Sequence, residues 1–153
     1  MLLKQILYVS RCAAPAHPGA LRSTIAQILE TSLHNNRRDH ITGLFGYADG
    51  GFIQLIEGPA LEIDELLDRL LMDPRHRDLT IRAEQRCPAR LFGAWSMAVV
   101  PPGSPELTAA DLVSADAAVL VERLQRAAAR RLAARPAWPN LDGTAVKIDA
   151  LRS

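Results

Sequence analysis

The stretch Ile41-Thr42-Gly43-Leu44-Phe45-Gly46-Tyr47-Ala48-Asp49-Gly50-Gly51-Phe52-Ile53-Gln54-Leu55-Ile56-Glu57-Gly58-Pro59 contains two apolar runs, Ile41 to Ala48 and Phe52 to Glu57, around Asp49-Gly50-Gly51. Glycine reaches positive φ without strain, so that triplet is a strong hairpin signal. Gly58-Pro59 then opens a helix, because the fixed φ of proline suits a first turn and its missing N–H is no loss there. In that helix Ile63, Leu66, Leu67, Leu70 and Leu71 recur at helical spacing and make one apolar stripe. Glu62, Asp64 and Glu65 stand near its positive end, and Arg69 and Arg75 near its negative end, as the helix dipole prefers.

Upstream, Leu3 to Ser10 reads as a strand with Ile6, Tyr8 and Ser10 on one side and Leu7 and Val9 on the other. Ala13 to Gly19 is a loop by its prolines and glycine. From Leu21 the spacing becomes helical, with Leu21, Ile25, Ile28, Leu29, Ser32 and Leu33 sharing a face. Asn35-Asn36, followed by Arg37-Arg38-Asp39, should end that helix, since Asn tolerates the left-handed conformation at a C-terminus. Downstream, Leu79 to Arg86 and Ala94 to Val100 read as two further strands, bounded by Pro88 and by Pro101-Pro102.

The order β-α-β-β-α-β-β predicts an α+β, ferredoxin-like sandwich built on a mixed five-stranded sheet. Crossovers of the β-α-β kind are right-handed, so both helices should share one face. The other face is left for the segment beyond Pro101-Pro102-Gly103-Ser104-Pro105. There Leu107 to Val113 and Ala117 to Ala134 read as helices, the second with a narrow stripe of Val121, Leu124, Ala128 and Leu132. Residues 3–100 are thus expected to be the main domain and 101–135 its capping and output helices. The tail, 136–153, shows no sustained period and is expected to be loosely held.

Bulk composition excludes several function classes. At 153 residues, 48% hydrophobic and 23% charged, the chain suits one globular domain. A net charge of +1 gives no reason to expect a nucleic-acid surface over the whole molecule. The helix carrying Arg123, Arg126, Arg130, Arg131 and Arg135 is basic, but a solvated face is the better reading of it than a nucleic-acid or acidic-partner surface. Cys12 and Cys87 lie far apart without CxxC spacing, so neither a zinc site nor a disulfide framework is expected. No apolar run reaches the roughly 18 residues of a spanning helix, and the N-terminus lacks a signal-peptide pattern. The expectation is a cytoplasmic protein without a membrane role. His17, His34, His40 and His76 are scattered, so no metal or catalytic cluster is expected.

The informative residues are the polar and aromatic ones set into apolar strands. Gln54 lies mid-strand on the side of Phe52 and Ile56, where its amide needs partners or costs about 1–3 kcal/mol. Tyr8 is likewise mid-strand, Trp95 and Met97 alternate onto one face of the last strand, and Asn36 stands where the first helix ends. Singly, each has an ordinary structural explanation; together they could converge between the helices and the sheet.

Five segments in order carry a more specific message: Leu7-Tyr8-Val9-Ser10, Asn35 to Gly43, Gly51 to Pro59, Asp73-Pro74-Arg75-His76, and Arg90-Leu91-Phe92-Gly93-Ala94-Trp95-Ser96-Met97. Over residues 3–100 the chain resembles the BLUF photoreceptor family, the sensors of blue light using FAD, in its short single-domain form. The resemblance implies a flavin between the two helices: FAD, with FMN or riboflavin as alternatives. It implies that Ile28 and Leu70 pack on the two sides of the ring, that Asn36 bonds its polar edge, that Ser32 and Asn35 lie beside it, and that Arg75 and His76 support its ribityl–phosphate end. It further implies a photoactive relay of Tyr8 and Gln54, in which light draws an electron and a proton from Tyr8. Gln54 is then left in another hydrogen-bonding state, with the flavin spectrum shifted to the red. Ser10, Trp95 and Met97 would carry the switch outward, with Trp95 and Met97 both open as the residue facing Gln54. No catalytic turnover is implied. With no cyclase or phosphodiesterase in the sequence, the expected output is a downstream signalling protein or a change in a homo-oligomer.

Overall fold

The computed structural model describes residues 2–13, 18–48, 50–90, 98–100 and 107–133. Along the chain these form β1 (Leu3–Cys12), α1 (Pro18–Arg38), β2 (Thr42–Ala48), β3 (Gly51–Pro59), α2 (Ala60–Met72), β4 (His76–Cys87), β5 (Ala98–Val100), α3 (Ala109–Ser114) and α4 (Ala117–Ala133). The strands make one five-stranded sheet in the order β4-β1-β3-β2-β5. The pairs β1–β3, β1–β4 and β2–β3 are antiparallel, and β2–β5 is parallel. The expected mixed α+β sandwich is therefore what the chain forms.

The hairpin turns where the sequence places it. Ala48 pairs with Gly51 across the turn, and Gly50 takes a φ of 86°, a conformation that glycine adopts without strain. Glycine is needed again at Gly43, where a Cβ would lie 2.2 Å from the Leu55 carbonyl oxygen of the paired strand.

Period-two alternation divides the sheet into two apolar layers. Ile6, Tyr8, Ile41 and Ile56 meet Ile63 and Leu66 of α2, with Leu67 and Leu70 packed alongside. Strands β1 and β2 run parallel with β3 between them, and the right-handed crossover puts α1 on the same side as α2. On the opposite face Leu7, Leu44, Ile53 and Leu55 pack against Leu107, Leu112, Leu120, Leu124 and Ala127. Arg82 of β4 secures that cover, donating to the carbonyls of Leu112 at 2.6 Å and Ala115 at 2.5 Å, which would otherwise be open at the end of α3. The start of α3 is closed by a capping box between Thr108 and Asp111.

Several boundaries differ from the sequence expectation, each for a local reason. Helix α1 runs to Arg38, beyond Asn35-Asn36, and the left-handed residue is His40, at φ 56°. The Asn35 and Asn36 carbonyls instead accept from the Asp39 and Ile41 amides at 2.9 and 2.8 Å, closing the helix end. Strand β4 starts at His76, three residues before Leu79, because a register shift between Val9 and Arg11 together with Asp78 at φ 54° keeps its first residues paired to β1. Leu71 is exposed, outside the buried stripe of α2. On α4 the buried stripe is Leu120, Leu124 and Ala127, with Val121 only partly covered. Val119, Leu120 and Val121 are consecutive apolar residues, so the helical phase was ambiguous there. The Ala128 and Leu132 side chains, residues 94–97 and the tail from 136 lie outside the described residues.

Truncating Leu124→Ala should cost about 2–5 kcal/mol, the range for a fully buried leucine. Leu71→Ala should stay within about 0.5 kcal/mol. Urea-denaturation midpoints of the two variants check the placement of α4.

Candidate functional site

The centre of the site follows from strand register. Tyr8 of β1 is directly opposite Gln54 of β3, which in turn is opposite Phe45 of β2. Opposed residues on one face of antiparallel strands have Cβ atoms about 4.5–5.5 Å apart. The Tyr8 hydroxyl donates to Gln54 Oε1, and both side chains are buried. Burial, reinforced by the negative charge of Asp73, pushes the phenol pKa far above its ordinary value. Tyr8 is therefore a neutral donor, and a donor fixes the acceptor end of the amide. With Oε1 turned to the phenol, the N–H donors of Gln54 face other partners.

Of the residues singled out from sequence, Leu70 packs with the cluster that contains Tyr8, and Ser10 and His76 are joined one row beyond it. Ile28 of α1 is buried. Leu70 of α2 is partly buried against the Ile6–Tyr8 cluster. Asn36 is 1% exposed at the end of α1, while Ser32 and Asn35 are half-buried. One row beyond Tyr8, Ser10 lies opposite Phe52, and its hydroxyl meets His76 Nδ1 at 2.9 Å. The Phe52 ring packs on the His76 imidazole at a centroid distance of 5.1 Å. Trp95 and Met97 lie outside the described residues.

Arg75 is differently engaged from a free cation at a helix end. Its guanidinium forks onto Asp73, Nε to Oδ1 at 2.9 Å and Nη2 to Oδ2 at 2.7 Å, and its backbone N–H also donates to Oδ1 at 2.9 Å. Asp73 is the residue that sequence reasoning missed. A carboxylate that closes the negative end of α2 opposes the helix dipole, and that misfit was the available signal for a structural duty. Although burial alone would raise its pKa, the Arg75 bonds and charge bring Asp73 below the usual carboxylate value. Its charge reaches both Tyr8 and His76.

A polar row across the opposite face was also missed. Glu57 is fully buried, accepting from Gln5 Nε2 at 2.8 Å and from Thr42 Oγ1 at 3.0 Å. Gln85 donates to Gln5 Oε1 at 2.5 Å, and Arg90 donates to Thr42 Oγ1 at 3.1 Å and to the His40 carbonyl at 2.6 Å. Gln5, Glu57 and Thr42 are register partners, so the strand alignment that opposes Tyr8 to Gln54 also builds this row.

A family model described as BLUF, sensors of blue-light using FAD, matches residues 3–98. The chain belongs to the BLUF family. Among solved BLUF structures it is similar to the dark state of BlrB, with 33% identity and a TM-score of 0.70 over 84% of this chain and 97% of that one. It is also similar to the ground state of BlsA, with 25% identity and a TM-score of 0.60 over 66% of this chain and 65% of that one. Among curated relatives, the photoactivated adenylate cyclase subunit beta of Euglena gracilis is 27% identical over 95 residues, 62% of this chain. The chain spans 11% of that relative's length. Among the described residues no helix is long and apolar enough to cross a membrane, and no His, Cys, Asp and Glu group is arranged to hold a metal.

The residues present fit a flavin. The two helices carry apolar Ile28 and Leu70, side chains of the kind that pack on a flat ring, and buried amides at Asn36 and Gln54 are of the kind that suit the polar edge of a heteroaromatic. The buried His76 Nε2 has no protein partner among the described residues, as suits contact with the polar tail of a ligand.

His76 also sets a pH dependence. Burial lowers its pKa below the ordinary 6.5, helped by the Arg75 charge and opposed by Asp73. Above pH 6.5 the imidazole is neutral folded and unfolded, and its contribution to stability is complete. As pH falls below that value toward the depressed folded pKa, the unfolded chain takes the proton first and stability is lost. Denaturation midpoints should drop from about pH 7.5 to about pH 5.5, and His76→Gln should flatten that slope. Loss of the Asp39, Asp73 and Asp111 contributions belongs below 3.8, because their pKa values are depressed from that figure.

Proposed function

We propose that this protein is a blue-light sensor that holds a flavin between α1 and α2 and works without catalytic turnover. The reading rests above all on the buried hydrogen bond from Tyr8 to Gln54 at the centre of a BLUF domain. Ile28 and Leu70 flank the ring, Asn36 bonds its polar edge with Ser32 and Asn35 beside it, and His76 meets the tail. Arg75, tied to Asp73, acts there chiefly by shaping the charge around His76. FAD is the flavin named in the family description, and FMN and riboflavin share the part of the molecule that these residues would grip.

The bound flavin supplies visible absorption and, once excited, an oxidising power that no side chain here possesses. Tyr8 is the electron donor, and its hydroxyl is already aimed at the group that must take the proton, Gln54 Oε1. Loss of an electron and a proton from Tyr8 frees the amide from its acceptor duty. Gln54 then rotates or tautomerises, and the return of charge to Tyr8 leaves it with donor and acceptor ends exchanged. No bond to a substrate forms or breaks.

A change in what Gln54 bonds is a change on β3, whose opposite face carries α3 and α4. Those helices, together with Trp95 and Met97, which precede β5 in sequence, are the output of this reading. The receiver is a partner protein or a second copy of the chain, in the cytoplasm. The cyclase of the Euglena relatives is one example of what a domain of this family can be joined to.

Gln54→Leu and Tyr8→Phe should each retain bound flavin and abolish the red shift that follows a blue flash. A reversible shift of normal size in either variant would remove the relay from this account.

A further inference from the structure

We propose that Ser10 is a positioning residue for the flavin tail: its hydroxyl holds His76 in the tautomer with the proton on Nε2, making that nitrogen a donor to an acceptor oxygen on the ligand's hydroxylated, phosphorylated chain. The inference rests on the flavin reading above and assigns Ser10 a duty at the ligand, beside the output role that the resemblance implies.

The argument is one of accounting for hydrogens. Ser10 and His76 are both buried, 3% and 9% exposed, and the one side-chain hydrogen bond of either among the described residues is the 2.9 Å contact between Oγ and Nδ1. A neutral imidazole carries one proton on two nitrogens. If Nδ1 carried it, Ser10 could only accept, and the serine hydrogen would be buried without an acceptor. If Ser10 donates to a bare Nδ1, its hydrogen is satisfied and the imidazole proton must sit on Nε2. The second arrangement leaves a single open donor, and it is the atom that has no protein partner. A buried donor left in that state costs about 1–3 kcal/mol, which a ligand oxygen can recover.

The charges around the ring fit a neutral imidazole. Asp73 favours the imidazolium, but its carboxylate is committed to Arg75, whose own charge opposes a second cation. Across the strand pair His76 is opposite Cys12, and Tyr8, two residues from Ser10 on β1, is a neutral phenol. The Phe52 ring packs beside the imidazole, tilted at 58° to it, and adds apolar surroundings to the buried side chain. Ser10 stands two residues from Tyr8 on the same face of β1, so the strand that carries the light-driven donor also sets the ligand's tail.

The test uses the full chain, with Ser10→Ala and Ser10→Thr. Nitrogen-15 spectra of the holoprotein should show His76 protonated at Nε2 in the wild type and in Ser10→Thr, and a mixture of tautomers in Ser10→Ala. Titration of flavin-free protein with riboflavin and with FMN should show affinity weakened about tenfold in Ser10→Ala, equivalent to one lost hydrogen bond, and restored in Ser10→Thr. Weakening toward both flavins places the acceptor among the ribityl hydroxyls; weakening toward FMN alone places it on the phosphate. A wild-type His76 protonated at Nδ1, or equal affinity and an unchanged tautomer in Ser10→Ala, overturns the assignment while the flavin reading stands. A wild type that binds neither flavin overturns both.

Discussion

A phenol hydroxyl removed from water must give its hydrogen to some acceptor, and in this protein Gln54 Oε1 receives it. Much of the molecule follows from maintaining that contact. The antiparallel pairing of β1 and β3 sets the two residues opposite each other, and one residue of slip would send them to different faces. Gly43 lets β2 close on β3 at the Leu55 carbonyl, which brings the Phe45 edge of the row into place. Burial under the helix layer keeps Tyr8 a phenol and so keeps the bond in one direction.

Strand β3 faces both ways, and this joins sensing to output. On one side it presents Phe52, Gln54 and Ile56 to the helix layer; on the other, Ile53, Leu55 and Glu57 to the layer beneath α3 and α4. The buried Glu57 row ties the first four strands together on that second face, with donors converging on one carboxylate from both directions. Removing any donor would leave buried charge less well satisfied, so the row resists shear between strands. Arg82 then fastens the edge strand to the end of α3. A local rearrangement at Gln54 therefore acts on a sheet that is stiff across its width and bound to the helices above it.

The sequence was legible where one physical rule acted alone. Alternation placed Ile6, Tyr8 and Ser10 opposite Leu7 and Val9, and the Gly50 turn fixed the hairpin, both of which the structure bears out. It was less legible where rules competed. A bulge and a left-handed Asp78 extended β4 to His76 through a stretch without alternation. Three successive apolar residues hid the phase of α4. In the site, Tyr8, Gln54 and Asn36 stood out because polar groups in apolar settings need partners. Glu57 was passed over although the same reasoning applies to it, since it stands near the end of its strand and its partner Gln5 lies on a strand remote in sequence. Asp73 was hidden for a similar reason: its influence on Tyr8 acts through space, across the end of α2.

The most direct test is the visible absorption of protein purified in darkness, recorded before, during and after a blue flash. The account predicts a flavin spectrum that moves slightly to longer wavelength and returns in the dark without bleaching. A bleached spectrum would mean net flavin reduction and would contradict the Tyr8–Gln54 relay. A protein that takes up no flavin even on reconstitution would contradict the account at its root.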